Sequence, residues 1–148
     1  MISFDTNVLI YAADRDGSLR HQQAAALLER AIRTGTCVQT LQSFAEFYNV
    51  LTRKMRVAPD KAQTFVMTWR AVLTVEPAGV PDLNHAMRAV RDYKLSFWDA
   101  LLWATVRRAG VVVLATEDLQ DGRVIEGVRI ANPFNPANAA AIDAALRY

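Results

Sequence analysis

Segments with the pattern of β-strands alternate with segments with the pattern of α-helices along the whole chain. This order constrains the fold more than any other feature, because strands that are joined by helices usually pair in parallel. Strands are predicted at 2–4, 36–40, 74–76, 111–115 and, from a weaker pattern, 124–130. Helices are predicted at 8–13, 19–34, 42–55, 59–72, 81–93, 97–109 and 137–146. We therefore predict an α/β fold with a central parallel sheet flanked by helices.

The size and hydropathy of the chain limit its organisation. Its 148 residues, 52% of them hydrophobic, suffice for one core of ordinary size. We expect a single domain that spans residues 1–148. No run of about 18 apolar residues occurs, and Met1 leads directly into a strand rather than into a signal peptide. We therefore expect a cytoplasmic protein that does not interact with a membrane.

The sequence offers few ligands for a zinc site. Cys37 is the only cysteine, which excludes an internal disulfide, and its strand-like neighbours predict a small buried side chain. His21 and His85 lie in polar helical stretches without a second ligand at metal spacing. We interpret both histidines as surface residues.

Four acidic residues stand beside apolar segments, where an isolated carboxylate is costly. Asp5 follows the first predicted strand and Asp118 follows the strand at 111–115. In open parallel sheets, ligands bind just beyond the carboxyl ends of strands. Glu46 and Asp99 lie on helices between those two strands. Since no basic residue obviously pairs with each acid, the joint arrangement predicts a metal site.

The charge balance is compatible with such a site. The net charge is only +2, but without the four acids 17 basic residues would face 11 acidic residues, a net charge of +6. An acidic site in a basic surface suits a polyanion held over a metal ion. An ordinary mixed surface explains the charge equally well.

Asp99 also has a structural explanation. Ser96 and Asp99 have the spacing of a capping box, in which the acid reaches back to a backbone N–H. However, the helix is apolar almost all round, and Asp99 shares its face with Trp103 and Val106. We therefore favour a functional role, which is compatible with capping.

The other three acids have structural explanations as well. Glu46 lies in a polar stripe with Gln42, and periodicity alone favours a solvated residue with a weak interaction with Arg53. Asp5 could cap the first helix, and Asp118 could be a turn residue. No single acid is decisive, and the prediction depends on their joint arrangement.

Four motifs, in this order, resemble those of the PIN domain family, and in particular of VapC-type toxins from bacterial type II toxin–antitoxin pairs. The motifs are FDTNVLIY at 4–11, SFAEF at 43–47, LSFWDA at 95–100 and TEDLQDG at 116–122. The resemblance implies a three-layer PIN-like fold. It also implies a Mg²⁺- or Mn²⁺-dependent endoribonuclease, with RNA as substrate, a cognate antitoxin as partner and a homodimeric assembly.

The resemblance also assigns roles to individual residues. It implies a catalytic and metal-binding quartet of Asp5, Glu46, Asp99 and Asp118, supported by Asn7, Thr116, Glu117 and Asp121. Asp118 is preferred as the direct ligand in its motif because of its spacing from Thr116, although Glu117 and Asp121 remain alternatives.

The chemistry of these residues agrees with that function. Hard cations such as Mg²⁺ and Mn²⁺ prefer carboxylate and water oxygens. A bound ion would hold the scissile phosphate and lower the pKa of a water molecule that attacks it. Asp5, Asp99 and Asp118 are the expected ligands, and Glu46 is expected to orient a water molecule. Arg53, Arg107 and Arg108 are candidates for positioning the RNA backbone.

Two other functions remain open at this point. The chain could be a catalytically inactive PIN-like module that binds RNA or a partner. It could also be an aspartate-nucleophile phosphatase, although such enzymes usually carry a second acid where this chain has Asn7.

The helices between residues 42 and 73 are unusually rich in aromatic and apolar residues, among them Phe47, Tyr48, Phe65, Val66, Trp69 and Val72. We expect them to form a groove for an amphipathic antitoxin segment. The alternative is that these residues belong to the core.

Overall fold

The computed structural model describes residues 1–15 and 17–147. Its strands are β1 Ile2–Phe4, β2 Val38–Thr40, β3 Thr74–Glu76, β4 Val113–Ala115, β5 Val124–Ile125 and β6 Val128–Ala131. Its helices are α1 Thr6–Ala13, α2 Leu19–Thr34, α3 Leu41–Arg53, α4 Pro59–Arg70, α5 Val80–Tyr93, α6 Phe97–Arg108 and α7 Ala139–Ala145. A 3₁₀ turn at Pro136–Asn138 precedes α7.

The strands form a mainly parallel sheet, as the sequence predicts. The order of the larger sheet is β1-β4-β6-β5, in which only β5 is antiparallel to its neighbour. β2 and β3 form a second parallel pair, and a bridge between Ile2 and Cys37 joins β2 to the free edge of β1. The register places Phe4 opposite Ala115, so the residues that follow β1 and β4 emerge side by side.

Helices cover both faces of the sheet, which confirms the three-layer fold. Side chains alternate along β4: Val113 and Ala115 join a core with α1 to α4 and α7, whereas Leu114 joins a core with α5 and α6. This alternation follows from the two-residue period of a strand. Both faces of the strand are therefore buried, as expected for a parallel sheet.

The helices begin and end largely where the sequence predicts. Asp5 and Ser96 are N-caps whose side chains accept hydrogen bonds from the first turn of α1 and α6. Gly35 ends α2 in the left-handed conformation, with a φ of 66°. α3 ends two residues before its predicted end, and α4 does likewise.

The prediction of one strand over 124–130 is wrong, because this segment is a hairpin of β5 and β6. Glu126 and Gly127 connect the two strands with φ values of 44° and 89°. Positive φ at both residues is the geometry of a two-residue hairpin turn, which Asn-Gly and Asp-Gly favour much more than Glu-Gly. The turn was missed because its first residue is an unusual one.

The interpretation of Cys37 is confirmed, since its side chain is buried and burial raises the pKa of the thiol to about 12. The histidines lie at partly exposed positions, and each ring contacts a backbone carbonyl. His21 Nδ1 lies 3.0 Å from the Tyr11 oxygen, and His85 Nδ1 lies 2.8 Å from the Pro81 oxygen. Within residues 1–15 and 17–147, no helix combines the length and hydropathy needed to cross a membrane.

Candidate active site

Asp5 lies at the carboxyl end of β1 and is held on both of its oxygens. Oδ1 accepts a hydrogen bond of 2.7 Å from the Thr6 backbone N–H, and Oδ2 accepts one of 2.7 Å from the Thr116 hydroxyl. The backbone N–H of Asp5 donates to the Ala115 carbonyl at 3.0 Å, which continues the pairing of β1 with β4. The carboxylate is thus fixed at the point where the two central strands end.

The surroundings of Asp5 disfavour its charged form. Burial raises the pKa of this carboxyl above its ordinary value, because the ionised form loses hydration. The hydrogen bonds from Thr116 and Thr6 act in the opposite direction, and the negative charges of Asp118 and Asp99 raise the pKa further. A cation at this position would relieve both the desolvation and the repulsion.

Asp118 lies in the loop after β4 and is joined to Asp5 through Thr116. Its backbone N–H donates to the Thr116 hydroxyl oxygen at 3.1 Å, and the same hydroxyl donates to Asp5. Its carboxylate accepts a hydrogen bond of 2.5 Å from the Asn7 side-chain amide. Desolvation and the charges of Glu117 and Asp99 raise the pKa of Asp118. Asn7 and Thr116 therefore both hydrogen-bond to these acids, and their supporting role in a reaction stays a prediction.

Asp99 approaches the same place from the first turn of α6. Its carboxylate accepts a hydrogen bond of 2.5 Å from the hydroxyl of Ser96, the N-cap of the helix. Its charge raises the pKa of both Asp5 and Asp118, so the three carboxyl groups share one electrostatic environment. The capping-box hypothesis is correct in part, because Ser96 also accepts a hydrogen bond from the Asp99 backbone N–H at 3.3 Å.

Glu46 contacts the residue that follows Asp5 in the chain. The Thr6 hydroxyl donates to Glu46 Oε2 at 2.9 Å, and the Gln42 amide donates to Oε1 at 2.8 Å. Glu46 is half-buried, and its hydrogen-bond partners are not the Arg53 that periodicity suggested. Periodicity alone therefore predicts the wrong partner for Glu46, whereas its role in the site stays a prediction. Periodicity describes only the faces of α3, whereas the contact is made by α1.

Glu117 is held by partners of its own, Tyr11 and Arg20. It accepts a hydrogen bond of 2.7 Å from the Tyr11 hydroxyl and forms an ion pair with Arg20. The Arg20 guanidinium also lies over the Phe134 ring, 4.6 Å from its centroid. The hydrogen bond to Glu117 raises the pKa of Tyr11. Because the Arg20 guanidinium already neutralises its charge, Glu117 is less suited than Asp118 to bind a metal ion.

Asp121 holds the loop that follows β6. It accepts hydrogen bonds from the Asn132 backbone N–H at 2.8 Å and from the side chains of Asn135 at 2.8 Å and Asn138 at 2.7 Å. The bond from Asn132 is the main reason why the pKa of Asp121 is lowered. Glu117, Asp118 and Asp121 all lie in the motif at 116–122. Of these three described acids, Asp118 is the one that contacts a residue of the string at 5–7, namely Asn7.

Two of the three arginines that were candidates for positioning RNA form ion pairs within the fold. Arg107 pairs with Glu126 at 2.7 Å, and Arg108 contacts Asp82 at 3.0 Å. Both lie at the end of α6, about 12 Å along the helix axis from Asp99 at its start. Arg53 is exposed at the end of α3. The hypothesis that Arg107 or Arg108 positions RNA is not supported by these contacts.

Two glutamines near the site were not singled out from the sequence. The fully buried Gln39 side chain accepts from the Phe4 N–H at 3.3 Å and donates to the Phe4 carbonyl, so it fixes the backbone just before Asp5. Gln42 joins Glu46 to the Trp98 carbonyl, to which it donates at 3.1 Å. The only signal for Gln39 was an amide within a buried strand.

The donor set fits a hard divalent cation. Within the described residues, no three His, Cys, Asp or Glu side chains form a ready-made metal-binding group. Mg²⁺ does not need one, since it keeps several water ligands and is usually bound through one or two carboxylates. Asp5 and Asp118, whose charged forms are disfavoured by desolvation and by their acidic neighbours, provide such ligands.

Comparisons with known proteins agree with the fold. A model of the PIN domain matches residues 2–124. No curated protein matches the sequence. The chain resembles the structure of VapC20 from Mycobacterium tuberculosis, a toxin that cleaves the sarcin–ricin loop, with 19% identity over 80% of this chain and 90% of that one and a TM-score of 0.62.

Two further solved structures are also similar. DNA-bound VapBC from Salmonella typhimurium matches with 17% identity over 87% of this chain and 95% of that one, at a TM-score of 0.62. FitAcB from Neisseria gonorrhoeae matches with 16% identity over 91% of this chain and 99% of that one, also at a TM-score of 0.62. These similarities establish a shared fold.

Proposed function

Because the chain belongs to the PIN domain family, we propose that it is a divalent-metal-dependent endoribonuclease that acts as the toxin of a toxin–antitoxin pair. The main support is the convergence of Asp5, Asp99 and Asp118, from distant parts of the chain, in one electrostatic environment at the end of the sheet. Carboxylates that repel one another in the absence of a ligand are typical of a cation site. The similar VapC20 is a toxin that cleaves the sarcin–ricin loop.

In this proposal Asp5, Asp99 and Asp118 hold Mg²⁺ or Mn²⁺. Asp5 is kept in place by Thr6 and Thr116, and Asp118 is kept in place by Asn7. When bound, the ion would supply charge for the scissile phosphate and lower the pKa of the attacking water. The hydrogen bonds to the carboxylates fix their orientation before the ion and the substrate arrive.

Glu46 has a different role in the proposal. Each of its oxygens accepts one hydrogen bond, from Thr6 or from Gln42, so each retains a lone pair for a water molecule. Its carboxylate is therefore placed to orient a water molecule and accept its proton. Thr6 bonds to Glu46 and directly follows Asp5 in the chain. A displacement of either carboxylate would therefore displace the other.

Incubation of the purified protein with single-stranded RNA, with and without Mn²⁺ or Mg²⁺, tests the proposal. Asp99→Asn should abolish cleavage, whereas Asp92→Asn, the same change at an exposed carboxylate on α5 that pairs with Arg91, should not. Metal-independent cleavage, or equal activity of Asp99→Asn and wild type, would refute the assignment. RNA binding without cleavage would instead favour the inactive module.

The phosphatase alternative has less support. The residue two positions after Asp5 is Asn7, which uses its amide to hold Asp118 rather than to assist a nucleophile. Hydrolysis of p-nitrophenyl phosphate without cleavage of RNA would revive this alternative.

An antitoxin is the proposed protein partner, and the solved VapBC complex is a precedent with the same fold. Phe47 is buried, so it belongs to the core, but Phe65 and Trp69 pack on it and remain partly exposed. These two rings and Arg15 line adjoining cavities of about 260 and 410 Å³. We propose that an antitoxin segment binds there, and that the protein acts as a cytoplasmic homodimer.

A further inference from the structure

A cavity of about 800 Å³ opens beside the proposed active site, between the start of α3, the start of α6 and the loop after β3. Its lining is mainly apolar and includes Leu41, Ala45, Pro77, Ala78, Trp98 and Leu101. Polar groups come from Gln42, Glu46 and Asn49. The roles proposed above for the carboxylates leave this space unexplained.

The cavity borders the proposed active site. Glu46 lines it, and Trp98 immediately precedes Asp99 in α6. The Gln42 amide donates to both the Glu46 carboxylate and the Trp98 carbonyl, so one side chain ties the wall of the cavity to the site. A molecule whose phosphate lies at the carboxylates would therefore reach the cavity with an adjoining group.

Trp98 contributes a large, exposed aromatic ring to the wall of the cavity. Its side chain is 62% exposed, whereas Trp103 on the same helix is 1% exposed and donates its indole N–H to the Ile125 carbonyl at 3.2 Å. Phe97 supports the Trp98 ring edge to face, with a centroid distance of 5.2 Å and an interplanar angle of 71°. The indole is thus not required by the core, yet its backbone is anchored in the first turn of α6.

We propose that this cavity binds one unstacked nucleobase of single-stranded RNA, next to the scissile phosphate, with the base stacked on the Trp98 indole. Aromatic side chains are the usual platforms for unpaired bases. An apolar lining is better suited to the face of a base than to the charged phosphate of the nucleotide. Asn49 offers both a donor and an acceptor to the polar edge of the base. The inference depends on the proposed function, since it identifies a substrate subsite of that nuclease.

The first test compares Trp98→Ala with wild type on a short RNA that contains one cleaved bond. Loss of stacking should lower kcat/KM by about 5- to 100-fold, and Trp98→Phe should restore most of it. Met87→Ala, which truncates a side chain that is 53% exposed on α5, is the matched control. An abasic nucleotide beside the cleaved bond should impair the wild type and have little further effect on Trp98→Ala.

The second test measures RNA binding in an Asp5→Asn background, where cleavage does not interfere, by the fluorescence anisotropy of end-labelled single-stranded oligonucleotides. Weaker binding by the Trp98→Ala variant supports the subsite even when no RNA is cleaved. The hypothesis of a nucleobase subsite and the hypothesis of nuclease activity can therefore fail separately. Cleavage and binding that are both unaffected by Trp98→Ala would overturn the subsite and leave the nuclease intact. Unaffected binding together with a smaller mass in light scattering would overturn it in favour of an interface with a second copy.

Discussion

The Thr6 hydroxyl donates a hydrogen bond of 2.9 Å to the Glu46 carboxylate and so joins the start of α1 to α3. Thr6 directly follows Asp5 and also donates its backbone N–H to the Asp5 carboxylate. One residue therefore contacts two of the four acids through different groups. This contact explains how Glu46, which lies on the polar face of its helix, becomes part of the proposed site.

Thr6→Val tests that contact, because valine keeps the shape of threonine and removes the hydroxyl. The backbone bond to Asp5 remains, whereas Glu46 keeps Gln42 as its donor and loses orientation. Since a hydrogen bond to a charged group contributes about 1.5–3 kcal/mol, we expect kcat to fall by about 10-fold or more. Thr52→Val on α3, where the hydroxyl bonds only to backbone carbonyls, is the control. A fully active Thr6→Val protein would show that Glu46 does not depend on this bond.

Glu46→Gln and Asp5→Asn should differ in metal binding. Glu46 is proposed to orient water, so its amide variant should lose activity but retain measurable affinity for Mn²⁺. Asp5→Asn should lose both, since Asp5 is a proposed ligand. Isothermal titration calorimetry of the two variants with Mn²⁺ measures this difference, and equal affinities would show that the roles are assigned wrongly.

The stability of the metal-free protein should depend on Asp5 in a definite direction. Its pKa in the folded state is raised above the ordinary value of 3.8, so the folded protein holds this proton more tightly than the unfolded chain. The resulting stabilisation is complete below that value and is lost as pH rises through the folded pKa. Asp118, whose pKa is raised too, behaves in the same way.

The Asp5→Asn variant has no carboxyl group to ionise at this position, so it does not lose this stabilisation as the pH rises. Its asparagine can still accept the hydrogen bond from the Thr6 N–H. In EDTA at pH 7 we expect the variant to melt roughly 2–4 °C above the wild type, which corresponds to about 1 kcal/mol for a chain of this size. Below pH 4 the difference should disappear. Calorimetric melting between pH 3 and 7 checks this, and a variant that melts below the wild type at pH 7 would contradict it.

Asp121 should behave in the opposite way, because its pKa is lowered by bonds from Asn132, Asn135 and Asn138. Its contribution to stability is present above the unfolded pKa and is lost as pH falls. Asp121→Ala should cost about 1–2 kcal/mol, since the bonds are partly exposed to solvent. Urea denaturation measures that loss. Unchanged stability would mean that this loop does not need the carboxylate.

Much of the fold could be predicted because its signals are local. The N-caps Asp5 and Ser96, the stop at Gly35 and the apolar run before Thr116 each mark an element within a few residues. The turn at Glu126 and Gly127 escaped prediction, since the conformation of Glu126 is imposed by the pairing of β5 with β6. Glu-Gly is not a residue pair that favours such a turn, so the local sequence gives no clear signal for this hairpin.

The candidate site could be predicted only in part, because several of its contacts join residues that lie far apart in the chain. Asp5 and Asp118 can be picked out from the sequence because each follows the end of a strand, and Asp118 contacts Asn7 and Thr116. The contact between Glu46 and Thr6 links residues 40 positions apart. The partners of Glu117 come from α1 and α2, and those of Asp121 come from the segment after β6, so the sequence could not separate these acids from Asp118.

The rate of RNA cleavage by Asp5→Asn, Asp118→Asn and Asp121→Asn at saturating Mn²⁺ tests the central claim most directly. All three changes remove one carboxylate charge, but only the first two remove it from the proposed metal site. We predict that Asp5→Asn and Asp118→Asn lose at least about 100-fold in rate, as expected when an interaction essential to the reaction is removed, and that Asp121→Asn stays within a few-fold of wild type. A folded Asp118→Asn protein that cleaves at the wild-type rate, or a folded Asp121→Asn protein that is inactive, would contradict the account.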